Sequence, residues 1–248
     1  MKKKLVVFGT NNYSNSIQSL IKSSKNYFTE HIVFKPENID FDFYHKNIKI
    51  LSQPKGAGYW LWKPYVIKKV LEQSNDGDLV FYVDAGNIFL EDPKTIYTKF
   101  NQERSMIFFD NRDGISDENP LPNKNWTNKT WTKKDAFVLM NLDNEKTIND
   151  PHVNASYQIY IKNKNSLNFI NELLFWSENE NILTDVPNLY GDNYSSFISH
   201  RHDQSVLSLM CSKYNLYLEI DPSEWGNKCD KREFPQLFFH HRNPNFIL

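Results

Sequence analysis

Cysteine is scarce in this chain: 248 residues carry only Cys211 and Cys229, without metal-ligand spacing between them. That excludes a disulfide framework and fits reduced thiols in an intracellular compartment. Long apolar runs are missing too, since no stretch approaches the roughly 20 residues that span a bilayer, and an integral membrane role is excluded. Net charge is almost nil, with 29 basic and 30 acidic residues interspersed along the chain. A nucleic-acid-wrapping surface is therefore not expected. An export signal is absent from the start: Met1-Lys2-Lys3-Lys4 supplies a positive flank, but the apolar run ends at Phe8, before Asn11, Asn12 and Ser14. It reads as a first strand, and the expected location is the cytoplasm. There is also no internal repeat and no linker, so residues 1–248 are expected to form one domain.

What is present is an ordinary globular composition, 40% hydrophobic and 15% aromatic, and an alternation of strand-like and helix-like runs. Strands are expected at 5–8, 31–34, 48–51, Leu79–Val83, 106–109, 136–140, 157–161 and 216–220. Helices are expected at 16–23, from Pro64 to about Glu72, around 95–100, from a Ser166 cap, and from 200–204 onward. Such alternation implies an α/β fold with a mixed, mostly parallel sheet flanked by helices. A polar segment with two tryptophans, 110–134, is expected to be a mobile or functional loop.

The most informative run is Leu79-Val80-Phe81-Tyr82-Val83-Asp84-Ala85-Gly86-Asn87. Five β-formers bounded by polar residues describe a strand buried on both faces, and Asp84 follows at its carboxyl end. Ligands collect beyond such strand ends in open α/β sheets; equally, Asp before a small residue and glycine is ordinary turn chemistry. Three further groups accompany it. In Gly56-Ala57-Gly58-Tyr59-Trp60-Leu61-Trp62-Lys63-Pro64 two glycines permit close backbone approach, and Lys63 enters a helix as a phosphate-facing cation. The spacing is not that of a P-loop, and Trp60 and Trp62 suit a core or a pocket wall. In His200-Arg201-His202-Asp203-Gln204 charged and titratable groups crowd a helix start, where Asp203 either caps the helix or does chemistry. In His240-His241-Arg242 adjacent histidines on an extended segment point apart, so one at most reaches a given ligand.

Taken in order, these motifs resemble the GT-A-type nucleotide-sugar glycosyltransferases, in particular the glycogenin-like and surface-polysaccharide branches, over most of the span from Leu5 to Arg242. The resemblance implies a Rossmann-like GT-A domain with a nucleotide-sugar half at 1–109 and an acceptor half at 110–248. It implies transfer of a sugar from a nucleotide-diphosphate donor, UDP-linked by preference, to a glycan or glycolipid hydroxyl in surface glycan synthesis, in the cytoplasm or at a membrane periphery. Asp84 matches the first carboxylate of the family's Asp-x-Asp motif and Asp203 the acid of its DQ segment, giving the pair catalytic roles. Gly58, Lys63, Tyr82, Asp84, Ala85, Gly86, Asn87, Arg201, Gln204 and Arg242 would bind the donor, and Trp126 and Trp131 the acceptor. Gly86 stands where the second carboxylate belongs. A divalent cation, Mn2+ or Mg2+, would then need Asp84 completed by His240 or His241, failing which Lys63, Arg201 and Arg242 would take the phosphate charge. Inversion and retention both stay open. Two other readings are a non-catalytic nucleotide-sugar or carbohydrate-binding protein of the same fold and a glycoside hydrolase using Asp84 and Asp203 as a carboxylate pair.

Overall fold

The computed structural model describes residues 1–101, 103–111, 126–227 and 229–248. Its strands are β1 (Lys3–Phe8), β2 (Glu30–Phe34), β3 (Leu79–Val83), β4 (Ile88–Phe89), β5 (Met106–Asp110), β6 (Val153–Ile161), β7 (Leu218–Ile220) and β8 (Phe238–Phe239). Six of them form one sheet in the order β2-β1-β3-β6-β5-β7, and β4 and β8 make a small antiparallel ribbon. β1 runs parallel to β2 and β3, β5 runs parallel to β7, and β6 is antiparallel to β3 and β5. The sheet is mixed and mostly parallel, as the alternation implied. Because β6 from the second half sits between β3 and β5, the two halves of the chain share one sheet.

Strand parity decides what faces what. In β1, Val6 and Phe8 point to the side covered by the helices Trp62–Glu72, Lys164–Ser177 and Asp203–Lys213, while Leu5 and Val7 point to the side covered by Ser14–Ser24 and β4. In β3, Val80 and Tyr82 share the first face, and Leu79, Phe81 and Val83 the second. Side chains alternate along a strand, so Asp84, next in register after Tyr82, is delivered to the face that carries the Trp62–Glu72 helix. Burial of side chains as large as these contributes about 1.5–3 kcal/mol each, which pins the register and with it the direction of Asp84.

Several local expectations are corrected. Residues 48–51 are a short helix, Ile48–Leu51, directly after another at Phe41–Lys46, with Ile50 buried and Ile48 exposed. Residues 136–140 belong to the helix Lys134–Leu139, which buries Ala136, Phe137 and Met140 at helical spacing. The helix expected to start at Ser166 is capped by Asn163, whose side chain accepts from the Ser166 amide. The helix expected around 95–100 shortens to Lys94–Tyr97. Of the loop expected at 110–134, residues 112–125 lie outside the described residues, and its end folds into the short helix Asn128–Trp131.

The glycine-bearing segment is a left-handed turn. Gly56, Ala57, Gly58, Tyr59 and Trp60 all have positive φ, from 51° to 96°, and the Tyr59 and Trp60 amides donate to the Lys55 and Gly56 carbonyls. Left-handed backbone costs a non-glycine residue about 1–2 kcal/mol, so Ala57, Tyr59 and Trp60 hold strain of the kind that surrounding structure must over-determine. Gly58 is needed for a second reason: a Cβ there would lie 2.7 Å from Leu51 Cα. Gly58→Ala is expected to destabilise the fold by about 2–3 kcal/mol in urea denaturation. Gly77→Ala, also at positive φ but with open space around it, should lose only about 1 kcal/mol. Equal losses would mean that the Leu51 contact contributes nothing.

Candidate functional site

The carboxyl ends of β1 and β3 and the amino end of β6 meet at one edge of the sheet. There Asp84 N–H donates to Ser156 O at 2.9 Å. The turn after it is fixed by Asn87, whose amide donates to Asp84 O at 2.9 Å while its Oδ1 accepts from the Tyr157 hydroxyl at 2.7 Å. Above this edge lies a cavity of about 700 Å³ whose lining includes Phe8, Thr10, Tyr13, Trp60, Trp62, Asp84, Ala85, Gly86, Arg201, His240 and Arg242. That size and mixed lining suit a small-molecule ligand.

At the floor is an ion triplet. Lys63 stands in the first turn of the Trp62–Glu72 helix with 3% of its side chain exposed, and its Nζ lies 3.1 Å from Asp84 Oδ1 and 2.7 Å from Asp203 Oδ2. It also donates to Ala155 O at 3.3 Å. The Tyr82 hydroxyl, fully buried, donates to Asp84 Oδ1 at 2.5 Å. Burial alone would lower the Lys63 ammonium, but the carboxylates of Asp203 and Asp84 outweigh it and hold it above its ordinary range. Asp84 keeps 29% of its side chain exposed and lines the cavity, whereas Asp203, at 11%, lies behind Lys63.

Asp203 opens the helix Asp203–Lys213, and the residue before it, His202, adopts a strained φ of 55°. His202 is held there from several directions. Its Nδ1 is 2.9 Å from Leu183 O, its ring stacks on Trp60 with centroids 5.6 Å apart, and Tyr59 meets it edge-on. The left-handed turn and the strained helix start thus brace one another, and the product is the placement of Asp203. The cap position is taken by His202, whose side chain makes no cap, and the Asp203 carboxylate, which also accepts from the Gln204 amide, turns to Lys63.

Burial pushes the Asp203 carboxyl up to about 6, against the pull of Lys63 and with the help of the Asp84 charge. A carboxyl raised in the folded state holds a proton there that the unfolded chain releases. Its contribution to stability is therefore largest below about pH 4 and falls as pH rises to about 6. Across that window the wild type should lose up to about 1.4 kcal/mol per pH unit relative to Asp203→Asn. Urea denaturation at intervals through the window checks this; parallel stability curves would remove Asp203 as the titrating group.

The cavity's outer wall is cationic. The Arg201 guanidinium sits 4.4 Å from the Trp131 ring centroid and that of Arg242 5.5 Å from Trp225. Neither makes a salt bridge with a carboxylate among the described residues. Burial, and then the charge of Arg242, lower Arg201 from its ordinary value, so the two share one field. His240 also lines the cavity, pushed down to about 4 by burial and then by Arg242, with Nδ1 unpartnered. It is neutral at physiological pH.

Several expected site residues lie elsewhere. His241 turns away, stacked on Phe246 with its Nδ1 accepting from the Asn243 amide, as the opposite-facing rule anticipates. Trp131 is 1% exposed beneath Trp126 and Arg201, so its ring carries Arg201 and meets no acceptor directly. Tyr82 and Asn87 are buried supports of Asp84, Gly58 packs on Leu51, and Gln204 is not in the cavity lining. Conversely Phe8, Thr10, Asn12 and Tyr13 line the cavity and were not singled out in the sequence. The rule that pointed to Asp84, the carboxyl end of a parallel strand, points equally to the residues after β1.

Among the described residues the donor set fits a divalent cation poorly. Asp84 already faces the Lys63 ammonium and the Tyr82 hydroxyl, Gly86 brings no oxygen, His241 is turned away, and Arg201 and Arg242 add positive charge to the same cavity. Among the described residues no group of three or more His, Cys, Asp or Glu is placed to hold a metal ion. A hard cation takes oxygen ligands, in phosphate sites one or two of them protein carboxylates, and here the one carboxylate in the lining already has its Oδ1 taken by Lys63 and Tyr82.

No protein-family model matches the chain, and no curated protein does. Solved structures similar to it include WbbM, a bifunctional glycosyltransferase (11% identity, 84% of this chain and 37% of that one, TM-score 0.47), and the apo form of glycosyltransferase GlyE from Streptococcus pneumoniae TIGR4 (15%, 97% and 54%, TM-score 0.45). A third is galactosyltransferase LgtC in complex with donor and acceptor sugar analogues (11%, 96% and 86%, TM-score 0.48). The chain spans about a third to a half of the length of the first two.

Proposed function

We propose that the chain is a glycosyltransferase that moves a sugar from a nucleoside-diphosphate donor to a hydroxyl acceptor, in the building of a surface glycan. The observation that carries the reading is the Asp84–Lys63–Asp203 triplet at the floor of a cavity whose wall holds Arg201 and Arg242. Sugar transfer from a diphosphate develops negative charge on the departing phosphates and positive charge on the sugar ring. The two guanidiniums supply fixed cations for the first, and the exposed oxygen of Asp84 a fixed anion for the second. Asp203 acts through Lys63 as a positioning residue, since its carboxylate lies behind the ammonium. The aromatic wall of Phe8, Tyr13, Trp60 and Trp62 gives a planar base faces to stack on.

The glycoside hydrolase reading is weaker, because Lys63 bridges Asp84 and Asp203 at 3.1 and 2.7 Å and leaves no room between the carboxylates for a glycosidic bond. A panel of UDP-, GDP- and dTDP-sugars, followed by release of the nucleoside diphosphate with and without oligosaccharide acceptors, tests the proposal. Release with one donor is the expected result. Binding of a donor with no release under any acceptor would instead favour the non-catalytic nucleotide-sugar-binding protein, and no binding at all would sink both.

A further inference from the structure

We infer that this site binds a diphosphate group without a divalent cation, Lys63 standing as a built-in counter-ion to Asp84 and the guanidiniums of Arg201 and Arg242 holding the phosphate oxygens. The inference rests on the donor-site reading above and adds to it the way the anion is held. Three observations lead to it independently of one another.

The carboxylate that a metal would need already has a cation beside it. Lys63 Nζ sits between Asp84 and Asp203, buried and covered, with a third contact to Ala155 O. An ammonium held by three oxygens in a buried position is a fixed part of the structure. The position two residues beyond Asp84 has space for a side chain and does not use it: a Cβ on Gly86 would meet Arg242 Cα at 3.4 Å, an ordinary contact, and no positive φ requires glycine there. Instead the Gly86 carbonyl accepts from the Arg242 amide at 3.1 Å, which brings Arg242 to the place where a second carboxylate would act.

Two guanidiniums line the cavity, and among the described residues neither forms a salt bridge, although the Glu224 carboxylate feels the charge of Arg242. Each is laid on an indole, Arg201 on Trp131 and Arg242 on Trp225, which holds it in place while leaving its N–H edges free. Among the described residues of the lining the two guanidiniums stand against the single carboxylate of Asp84, and His240 adds a neutral ring with an unpartnered Nδ1. Guanidiniums bind phosphate oxygens in bidentate fashion, so the surplus positive charge has a stated ligand: two linked phosphates.

The test is titration of inorganic pyrophosphate into the full chain in excess chelator, repeated with Mn2+ or Mg2+ in place of the chelator. The expected result is binding in chelator that changes by less than about twofold when the metal is supplied. Arg201→Gln and Arg242→Gln should each weaken it about tenfold or more with the thermal transition unchanged. Gly86→Asp should weaken metal-free binding and introduce a dependence on Mn2+. Binding only in the presence of metal, or a wild type as metal-dependent as Gly86→Asp, overturns the inference, and so does no pyrophosphate binding in either condition. Metal-free pyrophosphate binding in a protein that turns over no sugar nucleotide leaves the diphosphate site standing and removes the glycosyltransferase reading.

Discussion

Lys63→Met is expected to lower folding stability by about 3–5 kcal/mol at neutral pH, the loss usual when one partner of a buried ion pair is removed. The methionine fills much of the lysine stem's volume, so the loss is chiefly electrostatic. It leaves the Asp84 and Asp203 carboxylates facing each other across the position of a missing ammonium that was 3.1 and 2.7 Å from them. Asp203 is already pushed up to about 6, and Lys63 is what opposes further rise. Without it Asp203 takes a proton at higher pH, and that protonation relieves the repulsion. The stability deficit should therefore be largest near pH 8 and smaller near pH 5. Urea denaturation at both pH values reads this directly. Lys63→Met combined with Asp203→Asn should recover part of the deficit at high pH, because one of the two orphaned charges is gone. A deficit below about 1 kcal/mol, or one independent of pH, would show that the triplet is an ordinary surface pair.

The strands flanking this triplet were legible for a simple reason. β3 is a run of five residues rich in β-branched and aromatic side chains between polar boundaries, buried on both faces, and its composition favoured a strand. Residues 48–51 and 136–140 also read as strands, yet 48–51 is a helix and 136–139 belong to one, because runs of four or five residues cannot display a period. What settles 136–140 is Ala136, Phe137 and Met140 reaching the core together at helical spacing. Tertiary contact, invisible in the sequence, selects the period.

Candidate residues were legible where chemistry and position coincide, as at Asp84 and Arg242, whereas Lys63, expected to face a phosphate, is buried against Asp84 and Asp203 outside the cavity lining, and the rest was illegible where backbone geometry does the placing. Two glycines marked 56–60 as unusual, but Ala57, Tyr59 and Trp60 at positive φ leave no trace in residue type. Nor could Asp203's partner be read, since a carboxylate at a helix start is as suited to capping as to an ion pair. The structure separates the two through His202, whose strained backbone takes the cap position and leaves the Asp203 carboxylate for Lys63. Trp131 shows the opposite failure: an aromatic in a polar segment looks available to sugars, yet it is covered by Trp126 and serves as the platform of Arg201.

Asp84→Asn is expected to reduce donor turnover by about 10²–10³-fold, the scale on which one preorganised electrostatic contact at a reacting centre acts, while costing the fold far less than Lys63→Met. The asymmetry follows from the contacts. The asparagine Oδ1 still accepts from the Tyr82 hydroxyl, and Lys63 keeps its closer partner, Asp203 at 2.7 Å, so no buried charge is orphaned. What is lost is the one carboxylate of the triplet that lines the cavity. The same substitution removes the Asp84 charge that helps hold Asp203 up, so the Asp203 titration should move down from about 6 toward the ordinary carboxylate range. The pH window in which its stability contribution falls should move down with it. A kinetic loss joined to that downward shift identifies Asp84 as both an electrostatic group in turnover and the like-charge neighbour of Asp203. Wild-type turnover in Asp84→Asn would reduce Asp84 to a turn residue at the end of β3, and an unmoved Asp203 titration would mean that the two carboxylates do not interact through Lys63.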